Sequence, residues 1–171
     1  MEKYYTYIDF DGVILDSEER MLERKYQAGF KNHECEQEFD EYFEYTNLHP
    51  EEWNYILKEA KSINNSVEIL KELDELNEKI AILTKIHTLY EMKSKVEIIR
   101  DKLELTFPVI FVPPGVKKHQ VIIPNNQLLV DDSKKNINSW ISHGGRGYIF
   151  DSKLEMNNDV KVKSLEFLLK R

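Results

Sequence analysis

"YIDFDGVILD", Tyr7 to Asp16, is an apolar run that ends by placing two aspartates, Asp9 and Asp11, one residue apart. Carboxylates that close repel and shift each other's proton affinity. Two readings are open. The pair is solvated in a turn, since Asp11-Gly12 is ordinary turn chemistry, or something positive lies between the carboxylates. Which one holds depends on what else the chain brings to the same place.

Working outward, five segments read as buried strands: Tyr4 to Phe10, Lys79 to Leu83, Val109 to Val112, Gln127 to Val130 and Gly147 to Phe150. Each is short, apolar and bounded by polar or turn residues. Helical patterns lie between them. "SVEILKELDELNEK" sets Val67, Leu70, Leu73 and Leu76 on one face, with Ser66 as the expected cap. "HTLYEMKSKVEIIRDKLEL" reads as a helix to Leu105, and "SKKNINSWISHGG" as one that starts at Ser133 and stops at Gly144 or Gly145. Lys163 to Lys170 reads as a last helix. From Ser66 onward strand and helix alternate, which predicts an α/β fold: a three-layer, Rossmann-like parallel sheet built through right-handed crossovers. Residues 17–64 break the alternation. They are helical and aromatic, and read as a small helical cap inserted after the first strand, the core being 1–16 and 65–171.

The 171 residues suffice for one domain with a core that needs no staples. A single cysteine, Cys35, forms no internal disulfide, and no basic-then-apolar leader or membrane-length apolar run is visible, so a cytoplasmic protein is expected. The net charge of −7 weighs against a nucleic-acid polymer as partner. It leaves room for a small anionic substrate, because one lysine and a metal reverse the field locally. Oligomeric state is not legible.

In open parallel sheets, ligands bind beyond the carboxyl ends of the strands. Asp9 and Asp11 end the first strand there, and Thr84 ends the second. "PPGVKKH", with Lys117 and Lys118, follows the third, and Asp131 and Asp132 end the fourth. Three or more carboxylates, a hydroxyl and an ammonium on one rim suit a divalent cation and a phosphate. The carboxylates fit Mg²⁺, a hard ion that prefers oxygen. A carboxylate can also attack phosphorus to give an aspartyl-phosphate that water hydrolyses.

"DFDGV", the strand end at Thr84, a lysine after the third strand and "LLVDDS" resemble, in order, the four motifs of the haloacid dehalogenase-like hydrolase superfamily. The resemblance spans the chain as core plus insert. The small size and the "DD" form of the fourth motif are similar to the 5'(3')-deoxyribonucleotidase group, although Lys85 stands where that group often has serine after the threonine. The resemblance implies Asp9 as nucleophile and Mg²⁺ ligand, and Asp11 as the acid and then base, its backbone carbonyl also on the metal. It implies Thr84 and Lys85 at the phosphoryl group and Asp132 as a metal ligand with Asp131 beside it. Lys118 is the choice for the third motif because "KHQVI" suits a lysine that opens a helix; Lys117 is its rival. Asn136 would steady the metal shell.

The function expected is a Mg²⁺-dependent phosphatase acting on a small phosphorylated metabolite, a nucleoside monophosphate first. A phosphotransferase or mutase on the same core, or a non-catalytic ligand-binding module, are the alternatives. A dehalogenase is disfavoured by Asp11. Ser133 is expected to be a helix cap, and the insert's aromatics to form its own core. Histidines 33, 49, 87, 119 and 143 show no paired ligand spacing, so no zinc site is expected; His87 and His119 lie near the rim. "HGGRG" follows a helix and is no dinucleotide fingerprint, and no P-loop motif occurs.

Overall fold

A computed structural model describes residues 4–32 and 35–170. Its centre is a six-stranded sheet, all parallel, in the order β3-β2-β1-β4-β5-β6. The strands are β1 (Thr6–Ile8), β2 (Ile80–Lys85), β3 (Val109–Val112), β4 (Leu128–Asp131), β5 (Arg146–Phe150) and β6 (Lys161–Val162). Helices α1 (Ser17–Gln27), α2 (Glu36–Leu48) and α3 (Glu51–Glu59) follow β1, and α4 (Ser66–Glu75) leads into β2. Then come α5 (Leu89–Glu97) after β2, the single turn α6 (Lys118–Val121) after β3, and α7 (Lys134–Ser142) after β4. The expected α/β parallel-sheet architecture is the one observed.

β1 is paired on one side with β2 and on the other with β4, through Ile8 against Ile82 and Ile8 against Val130. The chain therefore reverses its direction of travel across the sheet at β1. Beyond the carboxyl ends of β1 and β4 the two connections part and leave a crevice, the usual ligand position in such sheets. Asp9 is at its mouth because β1 ends at Ile8 and the Asp9 N–H still donates to the Val130 carbonyl, 2.9 Å away.

One core buries the sheet face formed by Ile8, Ile80, Ile82 and Val130 against α4 and the segment around Ile99 and Leu103. Trp53, Ile56 and Leu57 of α3 belong to that same core, so this part of the helical segment packs directly on the sheet unit. The other face holds Leu83, Leu129, Ile137 and Trp140. Within the helical segment Tyr42 is fully buried and meets Phe30 and Tyr45 edge-on or stacked. Among the described residues no helix is long and apolar enough to cross a membrane.

Several local expectations need correction. The end of the chain carries β6 and a short 3-10 turn at Leu165–Leu168 instead of a helix over Lys163 to Lys170. Val162 completes the sheet beside Phe150, and Leu165 and Leu168 fill the core; tertiary burial overrode a weak helical pattern. The helix after β2 ends at Glu97 and passes into a wide turn at Ile98–Lys102, where Arg100 ties down the carbonyls of Leu105 and Phe107. Ser66 does not cap α4. Asn65 precedes the helix in the left-handed region (φ 59°), while the buried Ser66 hydroxyl donates to the Val13 carbonyl at 2.9 Å. Ser133 does cap α7, accepting from the Asn136 N–H.

Candidate active site

Two buried lysine–carboxylate centres flank the crevice. The first is built on Asp9, Asp131 and Lys118. Lys118 opens α6, is buried, and points its Nζ to Asp9 Oδ2 at 2.8 Å and Asp131 Oδ2 at 2.7 Å. Lys117, one residue earlier, is exposed. Asp131 ends β4 with no exposure and accepts from the Ser133 N–H at 2.9 Å. The Asn136 amide also donates to both of its oxygens, at 3.1 and 3.0 Å. Asp132 turns into the crevice. Carboxylate oxygens of Asp9, Asp131 and Asp132 lie within 4.8 Å of one another, the metal-type grouping found among the described residues. No histidine joins it, and His33 lies outside the described residues.

Gly12 makes this approach possible. Its φ is +71°, and a Cβ there would lie 2.2 Å from Asp132 Oδ2. Any side chain at that position would push the fourth-strand acid out of the cluster.

The electrostatics of this centre are unbalanced. Burial raises the Asp9 carboxyl well above its ordinary range; Lys118 opposes this, and the neighbouring Asp131 and Asp11 add to it. Asp132 is pushed up to about 7, by burial first and then by Asp131 and Glu18. Lys118 is held more firmly charged than usual, because its two carboxylate partners outweigh the burial that would discharge it. One ammonium does not neutralise three carboxylates. A divalent, oxygen-preferring cation fits the surplus charge.

The second centre is built on Asp11, Thr84 and Lys95. Asp11 faces away from the acidic cluster. Its Oδ1 accepts from Ser17 Oγ at 2.5 Å, and its Oδ2 from Lys95 Nζ at 2.6 Å and Thr84 Oγ1 at 3.2 Å. Lys95, on α5 and fully buried, also donates to Glu91 Oε1 (2.8 Å), Thr84 Oγ1 (3.0 Å) and the Lys85 carbonyl (2.7 Å). Here Lys95 faces two carboxylates, Asp11 and Glu91, and hydroxyls complete the set around Asp11. Burial alone would raise the Asp11 carboxyl, but Lys95 and the hydroxyls of Ser17 and Thr84 outweigh it and the net shift is downward. Lys95 is correspondingly raised: burial opposes its charge, and Asp11 and Glu91 more than compensate. The Lys85 side chain is exposed; only its carbonyl joins this network.

Lys95 and Glu91 are the residues that sequence reasoning missed. A signal was present in "YEMKSK", since Glu91 and Lys95 are four apart on a helix. Such a spacing normally reads as an exposed surface pair. Only the packing of α5 over the ends of β1 and β2 turns it inward.

Between the two centres lies a cavity of about 270 Å³, lined by Asp9, Asp11, Asp132, Glu18, Trp53 and His87 among others. His87 stands on the loop after β2, its N–H donating to Glu91 Oε2 at 2.6 Å. Its ring stacks on Phe43, centroids 3.8 Å apart and planes 8° apart. Trp53 of α3 and His87 line this cavity together with the carboxylates at the strand ends. His119 lies away from this cavity, stacked on His143 at 3.7 Å and bonded to Ser139 Oγ.

No protein-family model matches the sequence, and no curated protein sequence does. Solved structures do match. A haloacid dehalogenase-superfamily hydrolase of subfamily IA from Geobacter sulfurreducens has a TM-score of 0.65 at 15% identity, covering 99% of both chains. A hydrolase named for the same superfamily, from Bacillus subtilis and bound to magnesium, has a TM-score of 0.64 at 12% identity over 99% of this chain and 98% of that one. A family enzyme from Bacteroides thetaiotaomicron is an aspartate-to-alanine variant in complex with magnesium and inorganic phosphate. It has a TM-score of 0.56 at 16% identity over 90% of this chain and 97% of that one. At such identities the likeness is one of fold: this chain folds as the haloacid dehalogenase-like hydrolases do.

Proposed function

We propose that this protein is a Mg²⁺-dependent phosphohydrolase that removes a phosphoryl group from a small metabolite through an aspartyl-phosphate on Asp9. The observation that carries the proposal is the cluster at the switch point. Asp9, Asp131 and Asp132 share one corner, and Lys118 alone partly offsets them. The cation would be held by Asp9 and Asp132, with Asp131 behind them and the Asp11 backbone carbonyl alongside. When bound, it supplies the positive charge that lets a phosphate dianion approach a carboxylate.

The protein's own groups do the rest. Asp9 attacks phosphorus while Lys118 neutralises the charge spreading over the phosphoryl oxygens. Thr84, fully buried at the end of β2, has its hydroxyl on Asp11 and Lys95 and so positions the Asp11 carboxylate. Water then attacks the aspartyl-phosphate, releasing phosphate and restoring Asp9. Asp11, kept ionised by Lys95, is suited to take a proton from that water. Protonating the leaving oxygen in the first half calls for the neutral carboxyl, which Lys95 opposes. The first half-reaction therefore favours leaving groups that depart without help.

The small cavity, with Trp53 and His87 in its lining, favours a compact substrate with a planar portion, so nucleoside monophosphates come first in a panel. The acidic net charge of −7 supports a small-molecule partner over a nucleic-acid polymer. The test is phosphate release from a panel of phosphorylated metabolites with Mg²⁺ and with chelator. Metal-dependent release of phosphate supports the proposal. No release from any compound by folded, Mg²⁺-loaded protein would leave a binding module as the better reading.

A further inference from the structure

A second cleft, of about 400 Å³, opens beside the candidate site between the loop after β3 and α7. Four lysines line it: Lys118, which is engaged with Asp9 and Asp131, and three others, Lys85 from the end of β2, Lys117 from the loop after β3, and Lys135 from α7. Among the described residues no carboxylate lines the cleft, and none of these three ammonium groups has an acidic partner. Gathered on one cleft, these three ammonium groups give it a local positive field in a chain whose net charge is −7.

The position of Lys135 is itself unfavourable. It lies in the first turn of the nine-residue α7, next to Lys134, and that turn holds no acidic residue. A helix N-terminus carries partial positive charge and disfavours cations. Local rules broken beside a candidate site mark places where function offsets a cost in stability.

The cleft is continuous with the site. Lys85, His87 and Asn136 line both cavities, and Lys118, which lines the cleft, reaches Asp9 at 2.8 Å. One small molecule can therefore lie across both. We infer that the lysine cleft binds a second anionic group, phosphate or carboxylate, of the same substrate whose phosphoryl group meets Asp9. The inference rests on the hydrolase reading for the first anion. It names the substrate class: a phosphate ester whose leaving group carries its own negative charge.

Matched substrates test it. AMP is compared with adenosine 3',5'-bisphosphate, and glycerol 3-phosphate with 3-phosphoglycerate, with 4-nitrophenyl phosphate as a substrate whose leaving group carries no second anionic group. A charge-assisted contact predicts that at least one bis-anion exceeds its match in kcat/KM by roughly tenfold or more. Whichever pair shows the preference identifies phosphate or carboxylate as the second group. Lys135→Glu should bring that ratio near one and leave 4-nitrophenyl phosphate hydrolysis within about twofold, because the substitution suits the helix N-terminus and spares the fold. Ratios near one in the unaltered protein, or an equal loss on every substrate in K135E, would overturn the inference.

Failure of the hydrolase reading is seen separately, as no turnover of 4-nitrophenyl phosphate. Calorimetric titration of the same pairs in the presence of Mg²⁺ then decides the cleft by itself. Tighter binding of a bis-anion that K135E abolishes sustains it; equal binding of both members of each pair removes it.

Discussion

The two lysine centres differ in how far their carboxylates outnumber the ammonium and in how well each carboxylate is supplied with donors. At Asp11, one ammonium meets Asp11 and Glu91, and hydroxyls from Ser17 and Thr84 complete the set, so the group is satisfied and firmly ionised. At Asp9, one ammonium meets Asp9 and Asp131 with Asp132 close by, and two carboxyls are pushed upward. Asp11, with a donor on each oxygen, stays ionised and is suited to act as a base; the corner where three carboxylates crowd one ammonium keeps an affinity for a positive charge. The residue types are the same, but Asp11 is more exposed than Asp9 and Asp131.

The contrast can be broken at its most active point with Asp9→Asn. Turnover should fall by at least about 10³-fold, since no other group is placed to form the covalent intermediate. The fold should persist, because removing one charge relieves the crowding with Asp131 and Asp132. Phosphate release and thermal melting together check this; parent-like turnover would exclude Asp9 as nucleophile.

Lys118→Met strikes the same centre from the cationic side. It should cost about 10²–10³-fold in turnover, the scale of losing one charge-stabilising donor. It also leaves Asp9 and Asp131 buried without their cation, so the melting midpoint should drop. Added Mg²⁺ should restore part of that drop, which separates charge balance from lost packing.

Lys95→Met sharpens the comparison. Removing one partner of a buried ion pair typically costs 3–5 kcal/mol. Urea unfolding should show a loss of about that size, and Mg²⁺ should not restore it, because the cation belongs to the other centre. Adding Glu91→Gln to this variant should recover part of the stability. With Asp11 freed from its counter-ion, the unaltered enzyme's preference for good leaving groups should also flatten. Kinetics with 4-nitrophenyl and alkyl phosphates read that change.

The smallest expected effect is a pH dependence. Asp132 sits at about 7 in the folded, metal-free chain, above its ordinary carboxyl value. The folded state then binds more protons than the unfolded one between roughly pH 4 and 7, so metal-free stability falls as pH rises through that window. Mg²⁺ competes with the proton, and its stabilising effect should grow over the same range. Melting midpoints with and without Mg²⁺ at pH 5.5 and pH 8 measure it; an equal Mg²⁺ effect at both would place the cation elsewhere.

Much of the first centre was legible because its residues follow strand ends. An apolar run that stops at an acid is visible in one dimension, and parallel strands bring such ends together whatever their spacing in sequence. That argument located Asp9, Thr84, Lys118, Asp131 and Asp132 at one rim, and it left Lys117 and Lys118 as rivals. The side chains separate the two, since Lys118 turns into the buried corner while Lys117 faces the open cleft. Lys95 and Glu91 were not legible, because helical spacing tells which residues share a face but not which face a tertiary contact will bury. The end of the chain was misread for a related reason. A two-residue edge strand has almost no pattern of its own and exists only because Phe150 and Ile149 offer it an edge.

By itself the sequence determined the parallel α/β layering and the convergence of the acidic strand ends, since both follow from local periodicity and chain direction. Only the tertiary structure decided which lysine serves which aspartate, that Asp11 is held ionised while the Asp9 carboxyl is pushed upward, and that Lys85, Lys117 and Lys135 face a cleft whose lining holds no carboxylate. Charge balance is a property of distances under about 4 Å and of burial. Neither is written along the chain.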